Sequence, residues 1–260
     1  MCSFEWVGLH SVATTMVRDA PDFHLALKKE GIIPMTLSDK LYKILIQGGS
    51  WKTILGGLWV TVQISALALL LGTLLGALIC MLRTRKNPVA RGIASVYIAI
   101  LRGTPVLMLL LLLYFGILAR SAVGPVMVAV FAFALNVSAH VAELLRSALS
   151  AADKGQMEAA RMLGCSAWNT FRCITLPQVL RIAKPVYQST IVNLIQWTSV
   201  VGYVTITDLT RVINNTASRT MQPLLTITIG MLIYLALAYI VYGIFRLSDV
   251  IQARKRGEAA

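Results

Sequence analysis

Four polar residues inside apolar stretches of the chain could bind a charged solute or carry a proton. Asn136, His140 and Glu143 are spaced i, i+4 and i+7, so they share one face of a helix. Arg102 is the single charged residue of the stretch Gly92–Ala119. Because ionisable groups are costly in lipid, all four should face the protein interior. They indicate either a structural ion pair between Arg102 and Glu143 or the lining of a path for a polar solute.

Catalytic and metal-binding patterns are absent from the sequence. The three histidines are too dispersed for a metal triad, and the four cysteines form no CxxC pair. Neither HExxH, GxSxG nor the phosphate-binding GxxxxGK[ST] pattern occurs. We therefore expect a chain that is not an enzyme, and any ATP that drives it must be bound by another polypeptide. His140 is then either a neutral packing residue or a ligand whose ring donors would suit a carboxylate-bearing solute.

The composition favours a membrane protein. Hydrophobic residues make up 57% of the 260 residues and charged residues 13%, and the mean hydropathy of +0.73 exceeds that of soluble globular chains. The 24 Lys and Arg residues against 11 acidic ones could indicate nucleic-acid binding, but the cations lie between long apolar runs. We therefore expect membrane lipid around the chain and no nucleic acid.

Five apolar runs are long enough to cross a bilayer. About 20 residues of helix span the roughly 30 Å of hydrocarbon, and helices are required because lipid cannot satisfy open backbone groups. The sequence thus predicts an all-α, polytopic membrane protein with five transmembrane helices. The predicted spans are residues 55–82, 93–118, 122–145, 184–205 and 223–246.

The distribution of cations predicts the orientation of these spans. Lys and Arg are concentrated in 83–91, in 146–184 and after residue 245, which the positive-inside rule places in the cytoplasm. With five spans, the C-terminus is then inside and the N-terminus outside. The predicted divisions are an external segment at 1–50 with an interfacial amphipathic helix, a membrane domain at 51–250 and a cytoplasmic tail at 251–260.

The loop at about 150–178 is polar but carries the signals of local structure. Gln156–Leu163 predicts a short helix, and Gly164 supplies the left-handed residue that ends it. Ser166 can cap a second short helix, which Pro177 would end. Either the loop presents these helices to a groove on a partner, or it is an amphipathic hairpin at the membrane interface without a partner.

The same loop resembles the EAA loop of ATP-binding-cassette (ABC) importer permeases. Its Glu158-Ala159-Ala160 is followed by Gly164, and then by Ile174 and Leu176-Pro177, at the spacing of that motif. The resemblance covers about residues 51–250 and implies a type I ABC importer transmembrane domain of the polar amino-acid branch. The other segments that carry it are Gly57–Ser65, Leu101–Pro105, Leu135–Arg146, Thr198-Ser199, Leu209-Thr210 and Ala217–Thr220.

This resemblance implies roles for two sets of residues. In such permeases the EAA loop forms coupling helices that sit in a cleft of each ATPase, and the small apolar face of Ala159, Ala160 and Leu163 would suit a groove of that kind. The positions carried over to ATPase coupling are Glu158, Ala159, Ala160, Gly164, Ile174, Leu176 and Pro177. The positions expected along the substrate pathway are Asn136, His140, Glu143, Arg102, Thr104, Thr198 and Ser199.

The resemblance also implies a division of labour in a bacterial cell membrane. A dimer of cytoplasmic ABC ATPases binds ATP and Mg, and an extracellular or periplasmic solute-binding protein delivers the solute. A second permease copy, identical or paralogous, completes the pathway, and this chain binds no cofactor itself. The alternatives are a permease for another small polar solute and a stand-alone secondary transporter, although five spans do not divide into two inverted halves.

Two positions depart from the pattern of these permeases. Gln196-Trp197 precedes Thr198-Ser199, where relatives usually have Lys-Asp, and His140 stands where they commonly have an aromatic residue such as Tyr. The lost charges argue against an inherited substrate or gating role for Gln196 and Trp197. They indicate either a different solute or a partner subunit that supplies the charged pair.

Overall fold

The computed structural model describes residues 36–255 of the protein, and every regular element within that range is a helix. The predictions for the segment before residue 36 and for the end of the tail lie outside the described residues. Helix α1 (Leu37–Leu45) lies within the amphipathic stretch of the predicted external segment. The position of α1 at a membrane surface stays a prediction.

The longest helix, α2 (Ser50–Thr84), covers the first predicted span and extends beyond it at both ends. It follows Gly49, whose φ of 71° places the backbone in the left-handed region that glycine adopts without strain. The next helix, α3 (Pro88–Gly103), begins where the Asn87 side chain accepts a hydrogen bond from the backbone N–H of Val89 at 2.9 Å. Proline is favoured in this first turn because its missing N–H would have no acceptor there.

The predicted span 93–118 is not one straight helix. Helix α3 ends at Gly103, and α4 (Val106–Leu111) continues as a π-helix to Ile117 at an angle of 105° to α3. Pro105 explains the break, because a proline disfavours the helical conformation of the residue before it. Thr104 is accordingly extended, with φ −97° and ψ 132°.

Helix α5 (Pro125–Ala151) covers the third predicted span and runs on past it toward the predicted cytoplasmic loop. That loop contains α6 (Lys154–Met162) and α7 (Ala167–Thr170), and α7 continues as a π-helix to Thr175. Helix α8 (Leu176–Trp197) then follows without a turn. The expectation that Pro177 ends a short helix is therefore wrong, because this proline lies in the first turn of α8.

After α8 the chain continues as a 3-10 helix, Thr198–Val204, which we call the 3-10 segment. It then turns at Thr205, which has a positive φ of 64°. Helix α9 (Leu209–Thr220) and the long helix α10 (Pro223–Lys255) complete the described chain. A second positive φ, 56° at Met221, makes the sharp turn between α9 and α10.

Three helices in the described part of the chain are long and apolar enough to cross a membrane: α2, α5 and the Pro223–Ile251 part of α10. The bent pair of α3 and α4 makes a fourth if it is one broken span. Helix α8 covers much of the fourth predicted span, but its sequence mixes Arg181, Lys184 and several amides with apolar residues. The count of five spans and their orientation stay predictions.

The core is arranged around α5. In the apolar window of α5, 67% of residues are buried, against 11% in the corresponding window of α10. Its Phe133 is fully buried together with a large side chain from each neighbouring element. These partners are Ile64 of α2, Leu110 of α4, Leu194 of α8 and Val201 of the 3-10 segment.

Two glycines of α2 make its close contact with α5 possible. A Cβ atom built on Gly72 would lie 2.7 Å from the Cβ of Val137, and one built on Gly76 would lie 2.7 Å from the Cβ of Val141. Both distances are below van der Waals contact, so only glycine fits. Small residues four apart allow membrane helices to approach closely, since packing rather than the hydrophobic effect drives their association in lipid.

Replacement of Gly72 by leucine should destabilise the protein. Gly72→Leu forces α2 away from Val137 and should cost about 1–3 kcal/mol, the usual range for overpacking. Gly56→Leu is the matched control, because nothing lies within 4 Å of a Cβ at Gly56 on the same helix. Thermal unfolding of the two detergent-purified variants measures the difference, and equal unfolding temperatures would contradict the packing described here.

Candidate functional site

A cavity of about 360 Å³ lies between α5 and α8, and the end of α3 contributes Arg102 to its wall. It contains three of the polar residues that the sequence singles out: Arg102, His140 and Glu143. Cavities of this size bind small molecules in many proteins. The other residues that line it include Leu144, Ser147, Ile182, Val186 and Thr190.

His140 is held in the wall by two contacts. Its Nδ1 lies 3.1 Å from the backbone oxygen of Asn136, one turn earlier on α5. Its ring lies against the indole of Trp197 at the end of α8, with ring centroids 5.2 Å apart and planes inclined by 59°. The two positions that depart from the pattern of ABC permeases are therefore in contact. A carbonyl oxygen can only accept, so a neutral His140 donates from Nδ1 and keeps Nε2 as an acceptor.

Asn136 is buried and connects α5 to the last turn of α3. Its Nδ2 donates to the backbone oxygen of Leu101 at 3.0 Å, whereas its Oδ1 has no hydrogen-bond donor among the described residues. Thr104 closes the same end of α3, since its Oγ1 donates to the backbone oxygen of Ile100 at 2.7 Å. Asn136 and Thr104 therefore fix the end of α3, from which Arg102 extends.

Glu143 pairs with other arginines than the one expected. Its Oε1 accepts from Nη2 of Arg146 at 2.6 Å and from Nε at 3.1 Å, and its Oε2 lies 3.6 Å from Nη2 of Arg83. The expected pair of Arg102 with Glu143 is wrong for this structure. Arg146 is favoured because it lies three residues away on the same helix, and Arg83 because α2 packs along α5. Arg102 makes no ion pair or hydrogen bond within residues 36–251.

Thr198 and Ser199 lie outside this cavity, at the start of the 3-10 segment that follows α8. Thr198 is fully buried and donates from Oγ1 to the backbone oxygen of Ile195 at 2.6 Å. Ser199 is half-buried. The structure thus brings Trp197, not these two hydroxyls, against the predicted polar face of α5.

The predicted coupling loop forms a compact turn of two helices. The Asp153 side chain caps α6 by accepting from the backbone N–H of Gly155 at 2.8 Å. Gly164 has the expected left-handed conformation, with φ 83°. This conformation lets the backbone N–H of Cys165 donate to the oxygen of Ala160 at 3.1 Å, which satisfies an open carbonyl at the end of α6.

Although this loop is polar in composition, it exposes several large apolar side chains. Met162 and Leu163 are 89% and 85% exposed, and Trp168 is 66% exposed and stacks on Phe171 with ring centroids 5.9 Å apart. Glu158 and Ala159 are exposed as well, whereas Ala160 is buried. The expected small face of Ala159, Ala160 and Leu163 is thus displaced, since Met162 takes the place of Ala160 at the surface.

The coupling loop is bound to the beginning of α8. The backbone N–H of Asp153 donates to Oε1 of Gln178 at 3.0 Å, and Nε2 of Gln178 donates to Oε1 of Gln156 at 2.7 Å. Ile174 and Leu176 are half-buried at the same junction. Helix α8 continues from this junction to Trp197, over roughly 33 Å, and its Ile182, Val186 and Thr190 line the cavity.

A buried carboxylate, that of Asp208, lies at the beginning of α9. Asp208 is fully buried and caps α9 by accepting from the backbone N–H groups of Thr210 and Arg211, both at 3.0 Å. Arg211 in turn donates from Nη1 to the backbone oxygen of Gly202 in the 3-10 segment at 2.9 Å. Thr61 of α2 accepts from the backbone N–H of Leu209 at 3.3 Å, so α2, α9 and the 3-10 segment are joined.

Asp208 was not among the residues expected from the sequence, although an aspartate before Leu209-Thr210 has the pattern of a helix cap. Burial raises the pKa of its carboxyl above the ordinary value of 3.8, and hydrogen bonds from the backbone of Arg211 and Thr210 offset part of this rise.

Comparison with known protein families gives a direct match. The model of the family described as binding-protein-dependent transport system inner membrane component matches residues 68–254. The chain is 38% identical over 161 residues to the probable amino-acid ABC transporter permease protein YckA of Bacillus subtilis, covering 62% of this chain and 71% of the relative. It is 29% identical over 219 residues to the L-cystine transport system permease protein TcyB of the same organism, covering 84% and 91%.

Solved structures of the same fold are also similar. An amino acid ABC transporter crystallised with histidines matches with a TM-score of 0.70 and 29% identity, covering 76% of this chain and 93% of that chain. The methionine ABC transporter MetNI in an inward-facing conformation matches with a TM-score of 0.63 and 16% identity, covering 80% and 99%. The predicted all-α fold of a type I ABC importer transmembrane domain is confirmed.

Replacement of Asp208 by asparagine should remove a pH dependence of stability. Because folding raises this pKa, the folded chain binds the proton more tightly than the unfolded chain. The stabilisation is present at low pH and is lost as the pH rises from about 4 through the raised folded pKa. The asparagine of the variant would keep one of the two capping hydrogen bonds, because it has one acceptor oxygen where the carboxylate has two, and this loss does not depend on pH.

The unfolding temperature of wild type and Asp208→Asn, measured in detergent from about pH 4 to about pH 8, gives the test. Wild type should lose stability relative to the variant as the pH rises. A difference between the two proteins that stays constant over this range would contradict the assignment.

Proposed function

Because the chain belongs to the family of binding-protein-dependent transport system inner membrane components, we propose that its cavity carries a polar amino acid. The chain is a permease subunit of an ABC importer in a bacterial membrane. The choice of solute is supported by the lining of the cavity, which includes Arg102, His140 and Glu143.

The charges of the cavity suit a zwitterion of α-amino and α-carboxylate groups. Arg102 has no carboxylate partner among the described residues, and its planar guanidinium can bind a solute carboxylate through two parallel hydrogen bonds. Glu143 keeps Oε2 without a hydrogen-bond donor, although Arg83 lies 3.6 Å away. This oxygen can accept from the solute ammonium group.

His140 has a different role in this proposal from the one expected. Its Nδ1 is engaged by the Asn136 backbone, so the neutral ring offers the acceptor Nε2 rather than a donor to a carboxylate. It would therefore accept from an N–H or O–H group of the solute. The indole of Trp197 packs against the His140 ring and makes the surroundings of that ring apolar.

Energy for transport is supplied by partner subunits in this proposal. A dimer of cytoplasmic ABC ATPases binds ATP and Mg, and the exposed surface of Met162, Leu163 and Trp168 docks into a groove on one ATPase. Large apolar side chains exposed together are typical of protein interfaces. Glu158 and Ala159 lie at the edge of that surface.

The structure of the loop suits the transmission of movement. The hydrogen bonds of Gln178 join α6 to α8, so a pull on α6 moves α8 and with it the cavity wall at Ile182 and Val186. Packed helices transmit such shifts as rigid bodies. A solute-binding protein delivers the amino acid from outside, and a second permease copy completes the alternating-access pathway.

Loss of the Arg102 charge should impair transport without unfolding the protein. Arg102→Gln removes charge-assisted hydrogen bonds to the solute carboxylate and should raise the KM for uptake about 10- to 100-fold. Stability should stay unchanged, because Arg102 has no ion-pair partner in the described chain. Arg120→Gln is the control with the same loss of charge at an exposed position outside the cavity.

Uptake of a mixture of labelled polar amino acids by cells that express the complete transporter measures this effect, beside thermal unfolding of each variant. Unimpaired uptake by Arg102→Gln would contradict the role of Arg102. A lowered unfolding temperature would instead identify it as a structural residue.

Substitutions of Gly164 should separate coupling from folding. A β-branched residue is strained at a φ of 83°, so Gly164→Val should unwind the turn after α6 at a cost of roughly 1–2 kcal/mol. Asparagine tolerates this conformation, so Gly164→Asn should preserve the turn. Purification in detergent from cells that express the complete transporter should recover the ATPase with wild type and Gly164→Asn, but much less with Gly164→Val. Equal recovery with all three would contradict docking through this turn.

A further inference from the structure

A second cavity, of about 540 Å³, is lined by residues of α2, α3 and α5 and shares no lining residue with the solute cavity or with the coupling loop. Three arginines line it: Arg83 from the end of α2, Arg91 from the first turns of α3, and Arg146 from α5. Its remaining lining residues are Pro88, Gly92 and Ser95. Three guanidinium groups at one cavity are costly unless anions accompany them.

The positive charge of this cavity is only partly balanced within the chain. Glu143 is the carboxylate that contacts it, and it pairs with both Arg146 and Arg83. Arg91 is exposed, and its side chain makes no hydrogen bond or ion pair within residues 36–251. Three positive charges against one negative charge leave an excess of positive charge, which the single negative charge of a phosphodiester would offset in part.

The backbone adds to the positive electrostatic potential at this cavity. The first turn of α3, a helix of 16 residues, lies at the cavity, since Pro88, Arg91 and Gly92 all line it. Helix N-termini carry a partial positive charge, and anions are stabilised beside them. The arginines and the helix therefore favour the same kind of ligand.

The surroundings of the cavity indicate where its ligand comes from. Exposed apolar side chains lie close in sequence to its lining residues, on α2 and α3. Residues 53–82 carry no charge, so the predicted membrane boundary falls at Arg83, next to the cavity. Apolar side chains would contribute nothing to the binding of a free anion, whereas the acyl chains of a lipid would lie along them. The flanking residues are Leu78, Met81, Val89 and Ile93, which are 58%, 65%, 66% and 67% exposed.

We propose that this cavity, which we call the arginine cavity, binds the phosphate headgroup of an anionic phospholipid. The phosphodiester lies between Arg91 and Arg83, and the acyl chains extend along the apolar side chains of α2 and α3. Arginine suits this task because its planar fork binds phosphate through two hydrogen bonds. Basic clusters at the cytoplasmic edge of membrane spans attract anionic lipids in general, and the predicted orientation places this cavity at that edge.

Arg91 is the residue whose substitution tests the arginine cavity most cleanly. Arg83 and Arg146 hold Glu143, so their loss would disturb the fold, whereas Arg91 has no partner to release. Arg91→Gln removes one charge from the cavity. Arg85→Gln is the matched control, because Arg85 is exposed in the loop just before α3, carries the same charge and does not line the cavity.

The experiment is native mass spectrometry of the full-length chain in detergent, titrated with phosphatidylglycerol, with phosphatidylcholine and with inorganic phosphate. Wild type should retain phosphatidylglycerol in preference to phosphatidylcholine. Arg91→Gln should bind phosphatidylglycerol about tenfold more weakly, the loss expected for one charge-assisted contact. Arg85→Gln should bind it within about twofold of wild type, because exposed charges are screened.

Several results would overturn the proposal. Equal retention of phosphatidylcholine would indicate apolar contact alone, and equal weakening in both variants would indicate a diffuse surface charge. Inorganic phosphate that displaces phosphatidylglycerol at similar concentration would indicate a free anion as the ligand. Thermal unfolding of Arg91→Gln beside wild type shows whether the variant is folded, and lipid binding unchanged in a folded Arg91→Gln would exclude the site.

Discussion

The contact between α2 and α5 is the one on which the other features of the structure depend. Lipid is as apolar as the helix surfaces, so the helices of a membrane protein are held by close packing and by polar contacts rather than by exclusion from water. Gly72 and Gly76 remove the side chains that would separate α2 from Val137 and Val141. With the backbones this close, Arg83 at the end of α2 reaches Glu143, and the carboxylate is balanced from two helices at once. The two cavities beside α5 share no lining residue, since Arg102 lines the solute cavity and Arg91 lines the arginine cavity.

The second organising feature is α8, which connects the coupling loop to the solute cavity. Gln178 fastens α6 to its first turns, and Trp197 at its other end packs on His140. Beyond Trp197 the chain passes through the 3-10 segment to Asp208, whose buried carboxylate caps α9, and Arg211 of α9 donates to the backbone oxygen of Gly202 in that segment. Helix α8 is continuous between the coupling loop and the solute cavity, although Pro185 lies within it. This continuity is what an alternating-access permease requires, because work done at the ATPase must appear as a change in the cavity.

Local features of the fold could be predicted from the sequence, and contacts between distant segments could not. Helix formation in lipid depends on the length of apolar runs, so α2, α5 and α10 were predictable, and Gly164 has the left-handed conformation its position requires. Pro105 could have predicted the break between α3 and α4, but the continuous apolar run concealed it. The role of Pro177 was predicted wrongly, because a proline can occupy the first turn of a helix as well as follow the end of one.

The candidate site was predictable in its members but not in its pairings. The spacing of His140 and Glu143 placed them on one face, and Arg102 does line the same cavity. Nothing in the spacing indicated that Glu143 would pair with Arg146 and Arg83, or that His140 would meet Trp197, because both follow from how α2 and α8 pack on α5. The two departures from the family pattern become one feature once this contact is known. His140 and Trp197, which the sequence singles out separately, lie against each other in the structure.

The most direct test of the account is uptake by the complete transporter reconstituted in liposomes, with its ATPase, its solute-binding protein and a labelled polar amino acid. The account predicts accumulation inside the liposomes only when ATP and the binding protein are supplied on their proper sides, without any ion gradient. Uptake that follows an ion gradient and needs neither ATP nor the binding protein would contradict it, and would identify the chain as a stand-alone transporter.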